Sequence, residues 1–320
     1  MHNSNRRDFI KKTGLATAIL GLGLGGQAIS MAPRKELFKI SLAQWSVNRL
    51  LFNKKMDNLD FAVLAKKHGI SAVEYVNQFF MDKAKDTAYL KEMKTRAEGE
   101  GVTSVLIMCD NEGKLGARDQ AERMQTVENH KKWVEAAKFL GCHSIRVNGY
   151  SFTRYSADKK DFAESQKLVA DGLRSLCEFA DTMDINVMIE NHGGFSSDAK
   201  WLSGVMKAAD HPRAGTLPDF GNFLMYRNEG EKTLSYDSYK GVKQLMPYAK
   251  GVSVKPTVWD GKGNQSQLDY EKMLSIVLKA GYHGYCGIEH GEQGRIWESI
   301  VEVREELEAA EKALRSSFSV

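Results

Sequence analysis

The 320 residues are 42% hydrophobic and 27% charged, a balance that suits a soluble globular chain able to bury a large core. The formal charge of +4 falls to +1 once residues 1–30 are set aside, because that stretch carries Arg6, Arg7, Lys11 and Lys12 against Asp8 alone. So weak a surplus disfavours a general nucleic-acid binder, and four cysteines without a CxxC pair imply buried free thiols rather than a disulfide framework.

The chain opens on "NSNRRDFIKKTG", with the arginine pair Arg6-Arg7, and continues into the apolar, glycine-rich "LATAILGLGLGG". That run is too short to span a bilayer, and an arginine pair ahead of such a run reads as a twin-arginine export signal over residues 1–30. Small residues near Ala28 and Ser30 offer a cleavage region, and no cysteine follows to carry a lipid anchor. The expectation is a periplasmic protein handled by the twin-arginine export machinery, with the mature domain over residues 31–320. No later run reaches spanning length, so no stable membrane span is expected.

From about residue 36, eight short apolar runs recur, each bounded by turn residues: "FKISLAQ" from Phe38, "ISAVEYV" from Ile70, "VTSVLIM" from Val102, "HSIRVNG" from His143, "INVMIEN" from Ile185, "RAGTLPD" from Arg213, "KGVSVKP" from Lys250 and "GYCGIEH" from Gly284. Helical patterns lie between them. Residues 168–180 place Val169, Leu173, Leu176, Cys177 and Ala180 on one face. Residues 119–140 end at Gly141, a C-cap signal, and "LAKKHG" and "VLKAG" repeat the order of helix, glycine, strand. Strands and helices alternating eight times predict a single-domain (β/α)8 barrel. An open doubly wound sheet is the alternative, but no GxGxxG or Walker signature follows the first strand.

A barrel of this kind keeps its chemistry at the C-terminal ends of the strands. Polar residues gather there: Gln44, Trp45 and Ser46; Glu74; Asp110 and Asn111; Arg146 and Asn148; Glu190, Asn191 and His192; Asp219 and Asn222; Ser253 and Lys255; Glu289 and His290. Closing the barrel brings Glu190, Asp219 and Glu289 around one axis, where three uncompensated carboxylates repel one another. One divalent metal ion resolves the repulsion, and oxygen ligands favour Mn2+, Mg2+ or Co2+, with Zn2+ also compatible. Alternation turns Glu74 inward, where Arg146 is its natural partner, and directs Asn191 away from the axis.

The order and spacing of "IENHGG", "LPDFGN", "VSVKP" and "GIEHGE" across the last four strands resemble the sugar phosphate isomerase/epimerase group, the xylose isomerase-like TIM barrels, over about residues 36–315. The resemblance implies a metal held by Glu, Asp, His and Glu, onto which Glu190, Asp219 and Glu289 map. Ser253 stands where the family's histidine is expected, two residues before Lys255, and His192 is a candidate replacement ligand. The endonuclease branch of the superfamily carries a further histidine three residues after the Asp; here that residue is Asn222, so one metal and no DNA repair are expected.

The resemblance further implies proton abstraction next to a carbonyl, with an enediolate intermediate. Glu190 and Glu289 would be the acid/base pair, and Asp219 a ligand only. Lys255, Arg146, Asn148, Trp45 and His192 would contact the substrate, with Trp259 as a further stacking surface. An exported location favours a non-phosphorylated or oxidised sugar, to be isomerised or epimerised. The alternatives are a lyase or hydratase acting on an oxidised (keto) glycoside at the same site, and a non-catalytic periplasmic carbohydrate-binding barrel.

Overall fold

The computed structural model describes residues 36–227 and 232–318, so the export signal expected over residues 1–30 lies outside the described residues. Each of the eight apolar runs contains a parallel strand of one sheet: β1 (Lys39–Ala43), β2 (Ala72–Val76), β3 (Thr103–Met108), β4 (Ser144–Asn148), β5 (Asn186–Glu190), β6 (Ala214–Leu217), β7 (Val252–Val254) and β8 (Tyr285–Ile288). The order around the sheet is β6-β5-β4-β3-β2-β1-β8-β7. The remaining gap, between β6 and β7, is bridged by three backbone hydrogen bonds rather than a continuous ladder. Lys250 N donates to Thr216 O, Ser253 N to Pro218 O and Phe220 N to Ser253 O, each at 3.0 Å. The result is a nearly closed eight-stranded barrel wrapped by helices.

The helices begin where the chain supplies an aspartate. Asp86, Asp119, Asp158, Asp198, Asp237 and Asp269 each accept a hydrogen bond from a backbone N–H in the first turn of the helix that follows. Those groups have no partner within the helix, and a carboxylate there also suits the helix dipole. The helix Gln120–Leu140 stops at Gly141, whose φ of 82° is the left-handed conformation that glycine adopts at least cost.

Alternation along the strands sorts the apolar side chains into two cores. Leu42, Val73, Ile107, Ile145, Val147, Val187, Ile189 and Ile288 pack outward against the helices. Ala43, Val76, Leu106, Met108, Met188 and Leu217 fill the barrel interior. The four cysteines are buried and free.

Polar side chains also enter that interior, among them an isolated pair beneath the strand ends. Ser41 and Glu74 are both buried, and the Ser41 hydroxyl donates to Glu74 Oε1 at 2.6 Å. Arg146 is not the partner of Glu74, contrary to expectation, because two other carboxylates hold its guanidinium. The Glu74 carboxyl instead lies against Gly287 of β8, where an added Cβ would meet Oε1 at 2.3 Å. Glu74 Oε2 is buried and accepts no hydrogen bond.

Candidate active site

The strand ends deliver the acidic side chains to one place. Glu190 is the last residue of β5, Asp219 follows β6 by two residues, and Glu289 directly follows β8. One carboxylate oxygen from each lies within 4.8 Å of the others. Glu190 and Asp219 are fully buried.

Asp219 owes its position to a tight turn. Its Oδ1 accepts from the backbone N–H groups of Gly221 and Asn222, both at 2.7 Å. Asn191 clamps the same turn from β5. It accepts from Asp219 N at 2.8 Å and donates to the carbonyls of Asp219 and Asn222 at 2.9 and 3.1 Å. Asn191 thus faces away from the axis, as alternation predicts, and a buried amide finds its partners in a loop that lacks its own ladder. Trp259, expected as a stacking surface, is 5% exposed and donates its indole N–H to Gly221 O. It supports the Asp219 turn from behind instead of facing a substrate, because a buried indole N–H needs an acceptor.

Two cations meet the carboxylates. Lys255 Nζ lies 2.7 Å from Asp219 Oδ2 and 2.6 Å from Glu289 Oε1. Arg146 reaches Asp110 Oδ1 at 2.7 Å through Nη1 and approaches Glu190 Oε2 at 2.9 Å through Nε. The second approach is poorly aligned: both Arg146 Nε and Glu190 Oε2 are buried without a hydrogen-bond partner. Ser253, at the place of the expected histidine, lies with its hydroxyl 3.0 Å from Asp219 Oδ2 and 3.1 Å from Glu289 Oε2. One hydroxyl proton serves one of these at a time. Asn222 donates to Glu190 Oε1 and Asp219 Oδ2 at 3.2 Å each.

The electrostatics separate the carboxylates. Burial raises the pKa of Glu190, the charge of Glu289 adds to that, and Arg146 opposes it. Asp219 is likewise raised, by burial first and by its two acidic neighbours, against Lys255. Burial also works against the Glu289 anion, but the charge and hydrogen bond of Lys255 outweigh it, so the pKa of Glu289 is lowered. Lys255 is itself disfavoured by burial, and Asp219, Glu289 and Glu190 reverse that and hold it charged.

The remaining predicted residues line the approach. Asn148 donates to Asp110 Oδ1 at 2.7 Å and presents its own Oδ1 to His192 Nδ1 at 3.1 Å. That carbonyl assigns the His192 proton to Nδ1. Burial, then Arg146, lowers the pKa of His192 to about 4, so it is neutral. His192 stands outside the trio of carboxylates, turned to Asn148 rather than to the axis. A cavity of about 170 Å³ is bounded by Trp45, Asp110, Arg146, Asn148, His192 and Glu289. A second, of about 320 Å³, is bounded by Trp45, Arg49, Lys255, Glu289 and His290 among others. Trp45 and Glu289 border both, and Trp45 is braced by Phe52 and Phe79 with ring centroids 6.0 and 6.1 Å away. Gln44 and Ser46 stay in the wall: Gln44 joins Val76 N to Asn58, and Ser46 donates to Ile288 O. Gln78 and Tyr150 also line the smaller cavity and were not singled out in the sequence. Neither sits at a strand end with an acidic or basic label that would mark it.

The donor set suits a hard divalent cation. Four carboxylates, from Asp110, Glu190, Asp219 and Glu289, face two cations, and Glu190 Oε2 has no hydrogen-bond donor. No histidine or cysteine joins the three clustered carboxylates among the described residues. No described helix is long and apolar enough to cross a membrane.

Comparison with known proteins places this barrel. The L-ribulose-5-phosphate 3-epimerase UlaE of Escherichia coli (strain K12) is 24% identical over 199 residues, a match covering 58% of this chain and 63% of that one. The chain therefore spans less than two thirds of the length of that curated relative. The 3-keto-D-glucoside 4-epimerase YcjR from E. coli superposes with a TM-score of 0.61 at 14% identity, covering 86% of this chain and 100% of that one. A xylose isomerase-like TIM barrel protein from Mycobacterium smegmatis in complex with magnesium gives a TM-score of 0.62 at 15% identity, covering 87% and 98%. At those identities the structural likeness speaks to the fold. Residues 62–316 match the family described as the xylose isomerase-like TIM barrel, and the chain belongs to that family.

Proposed function

We propose that this protein is a sugar isomerase or epimerase that moves a proton at the carbon next to a carbonyl. The observation that carries the reading is the convergence of Glu190 and Glu289, with Asp219, on one buried centre at the strand ends. Two carboxyls on either side of a reacting carbon can act as a base and an acid in turn. Glu289, held as the anion by a cation at the centre, takes the proton from the α-carbon; Glu190 is the carboxyl that returns one. Arg146 and Lys255 hold substrate oxygens and meet negative charge as it develops, Asn148 and neutral His192 orient hydroxyl groups, and Trp45 offers a flat face to the sugar ring. The sugar epimerases among the compared proteins support the same class.

Glu190, Asp219 and Glu289 are the residues that would hold one divalent cation. When bound, such an ion (Mn2+, Mg2+ or Co2+ by donor type, Zn2+ being compatible) supplies Lewis-acid polarisation of the carbonyl. The substrate is a non-phosphorylated or oxidised sugar. The twin-arginine pattern of the first thirty residues supports a periplasmic location, where phosphorylated sugars are scarce.

The test is proton exchange. Protein loaded with Mn2+ is incubated with ketoses and keto-glycosides in D2O, and deuterium at the α-carbon is read by NMR. Glu190→Gln and Glu289→Gln should each slow exchange by about 10²- to 10⁴-fold, the usual contribution of a general acid or base. Loss of a β-substituent during exchange would identify the lyase alternative. Metal bound with no exchange in any sugar would refute proton abstraction and leave a carbohydrate-binding barrel.

A further inference from the structure

The cation seat of this barrel already contains a cation. The Lys255 ammonium bridges Asp219 and Glu289, two of the three carboxylates that converge on the axis. Ser253 closes the same side, with its hydroxyl near the other oxygen of Glu289 and near Asp219 Oδ2. The third carboxylate, Glu190, retains a buried oxygen without a donor. An ammonium ion carries a single charge and three donors, and here two of the donors are engaged by carboxylates. A divalent ion drawn to the same oxygens would stand within a few ångströms of a like charge in a buried setting, where such repulsion is screened least.

We propose that Lys255 is the built-in counter-ion of the carboxylate centre, and that Lys255 and a divalent cation occupy it in alternation. Loading the metal requires the ammonium to withdraw from Asp219 and Glu289. There is room for it to do so: Lys255 already borders the 320 Å³ cavity beside Thr257 and His290, and its side chain is 21% exposed. Withdrawal places the ammonium on the substrate side of the centre. Metal loading and the presentation of Lys255 to a sugar oxygen thereby become one event. Without metal, the same residue keeps the carboxylates neutralised and the barrel wall intact. The inference rests on the carboxylate trio being the functional cation site.

The experiment compares Mn2+ affinity by titration calorimetry for the wild-type protein and Lys255→Met, which keeps the unbranched stem of the side chain and removes its charge. The variant should bind Mn2+ about 10- to 100-fold more tightly, the worth of a lost charge-assisted hydrogen bond. Equal or weaker binding by the variant, or no binding by either protein, overturns the proposal. A second measurement needs no variant. Acylation of Lys255 by an N-hydroxysuccinimide ester, followed by peptide mass spectrometry, should accelerate when Mn2+ saturates the wild-type protein. A rate unchanged by saturating Mn2+ overturns the proposal as well. Neither readout involves a sugar, so both are independent of whether proton abstraction occurs.

Discussion

Exchanging Glu74 for glutamine should flatten the dependence of stability on pH. The Glu74 carboxyl sits inside the barrel with one oxygen bonded to Ser41 and the other without a donor. Burial is the main cause that raises its pKa from 4.5 to about 8, with the charges of Glu289 and Glu190 adding and the Ser41 hydrogen bond and Arg146 opposing. The fold therefore keeps a proton that the unfolded chain releases above about pH 4.5. The neutral acid costs the fold nothing below that pH, and stability is lost progressively as the pH rises towards 8. Each unit of displacement is worth about 1.4 kcal/mol, so the full shift sets a ceiling of about 5 kcal/mol. Glutamine retains the neutral shape and an oxygen for the Ser41 hydroxyl, but it cannot ionise. Urea unfolding of both proteins at about pH 5 and about pH 8 measures the effect. The wild-type protein should lose up to about 4 kcal/mol more than the variant over that interval. Equal losses would refute the reasoning, because they would mean that Glu74 ionises in the fold as it does in the unfolded chain.

Three further outcomes follow from the same geometry. Gly287→Ala places a methyl group 2.3 Å from Glu74 Oε1 and should cost about 1–3 kcal/mol; combining it with Glu74→Ala should recover much of that in a double-mutant cycle. Asn191→Leu removes the clamp on the Asp219 turn and leaves buried backbone groups unpaired, so urea unfolding should show a loss of about 1–3 kcal/mol. Arg146→Met strands the carboxylates of Glu190 and Asp110 without their cation, for a cost of about 3–5 kcal/mol by the same assay. Arg146→Lys should recover only part of it, since an ammonium cannot reproduce the Nε and Nη1 contacts together.

The barrel strands are legible in the sequence because each is a short run of apolar and β-branched residues between turn signals. The helices are legible because their apolar residues recur on one face and glycine closes several of them. The convergence of Glu190, Asp219 and Glu289 is legible for a related reason: charge at the end of a buried strand is costly unless something answers it. What answers it was harder to read. Lys255 was expected to contact a substrate, and its engagement with two carboxylates depends on distances across the barrel that no local pattern encodes. The notch formed by Glu74 and Gly287 joins residues far apart in the chain, and glycine in a strand does not announce what approaches it. The hairpin pairing Thr257–Trp259 with Gln265–Gln267 was also missed, since "QSQ" is exposed on both faces and shows no alternation. Trp259 read as a sugar platform because an aromatic ring near a site invites that reading; its indole N–H, satisfied by Gly221 O, decided otherwise.

The thin join between β6 and β7 gives the molecule a clasp. Two of its three backbone bonds run between Ser253 and the residues flanking Asp219, and the side chains of Ser253 and Asp219 face the carboxylate centre from the same join. A cation held at that centre, as proposed, would also draw β6 and β7 together. Ligand affinity and the integrity of the wall therefore draw on one set of contacts, and a bound ligand adds RT ln(1 + [L]/Kd) to the stability of the whole fold. The amides of Lys250, Ser253 and Phe220 are where that tightening should be felt, as slower hydrogen exchange.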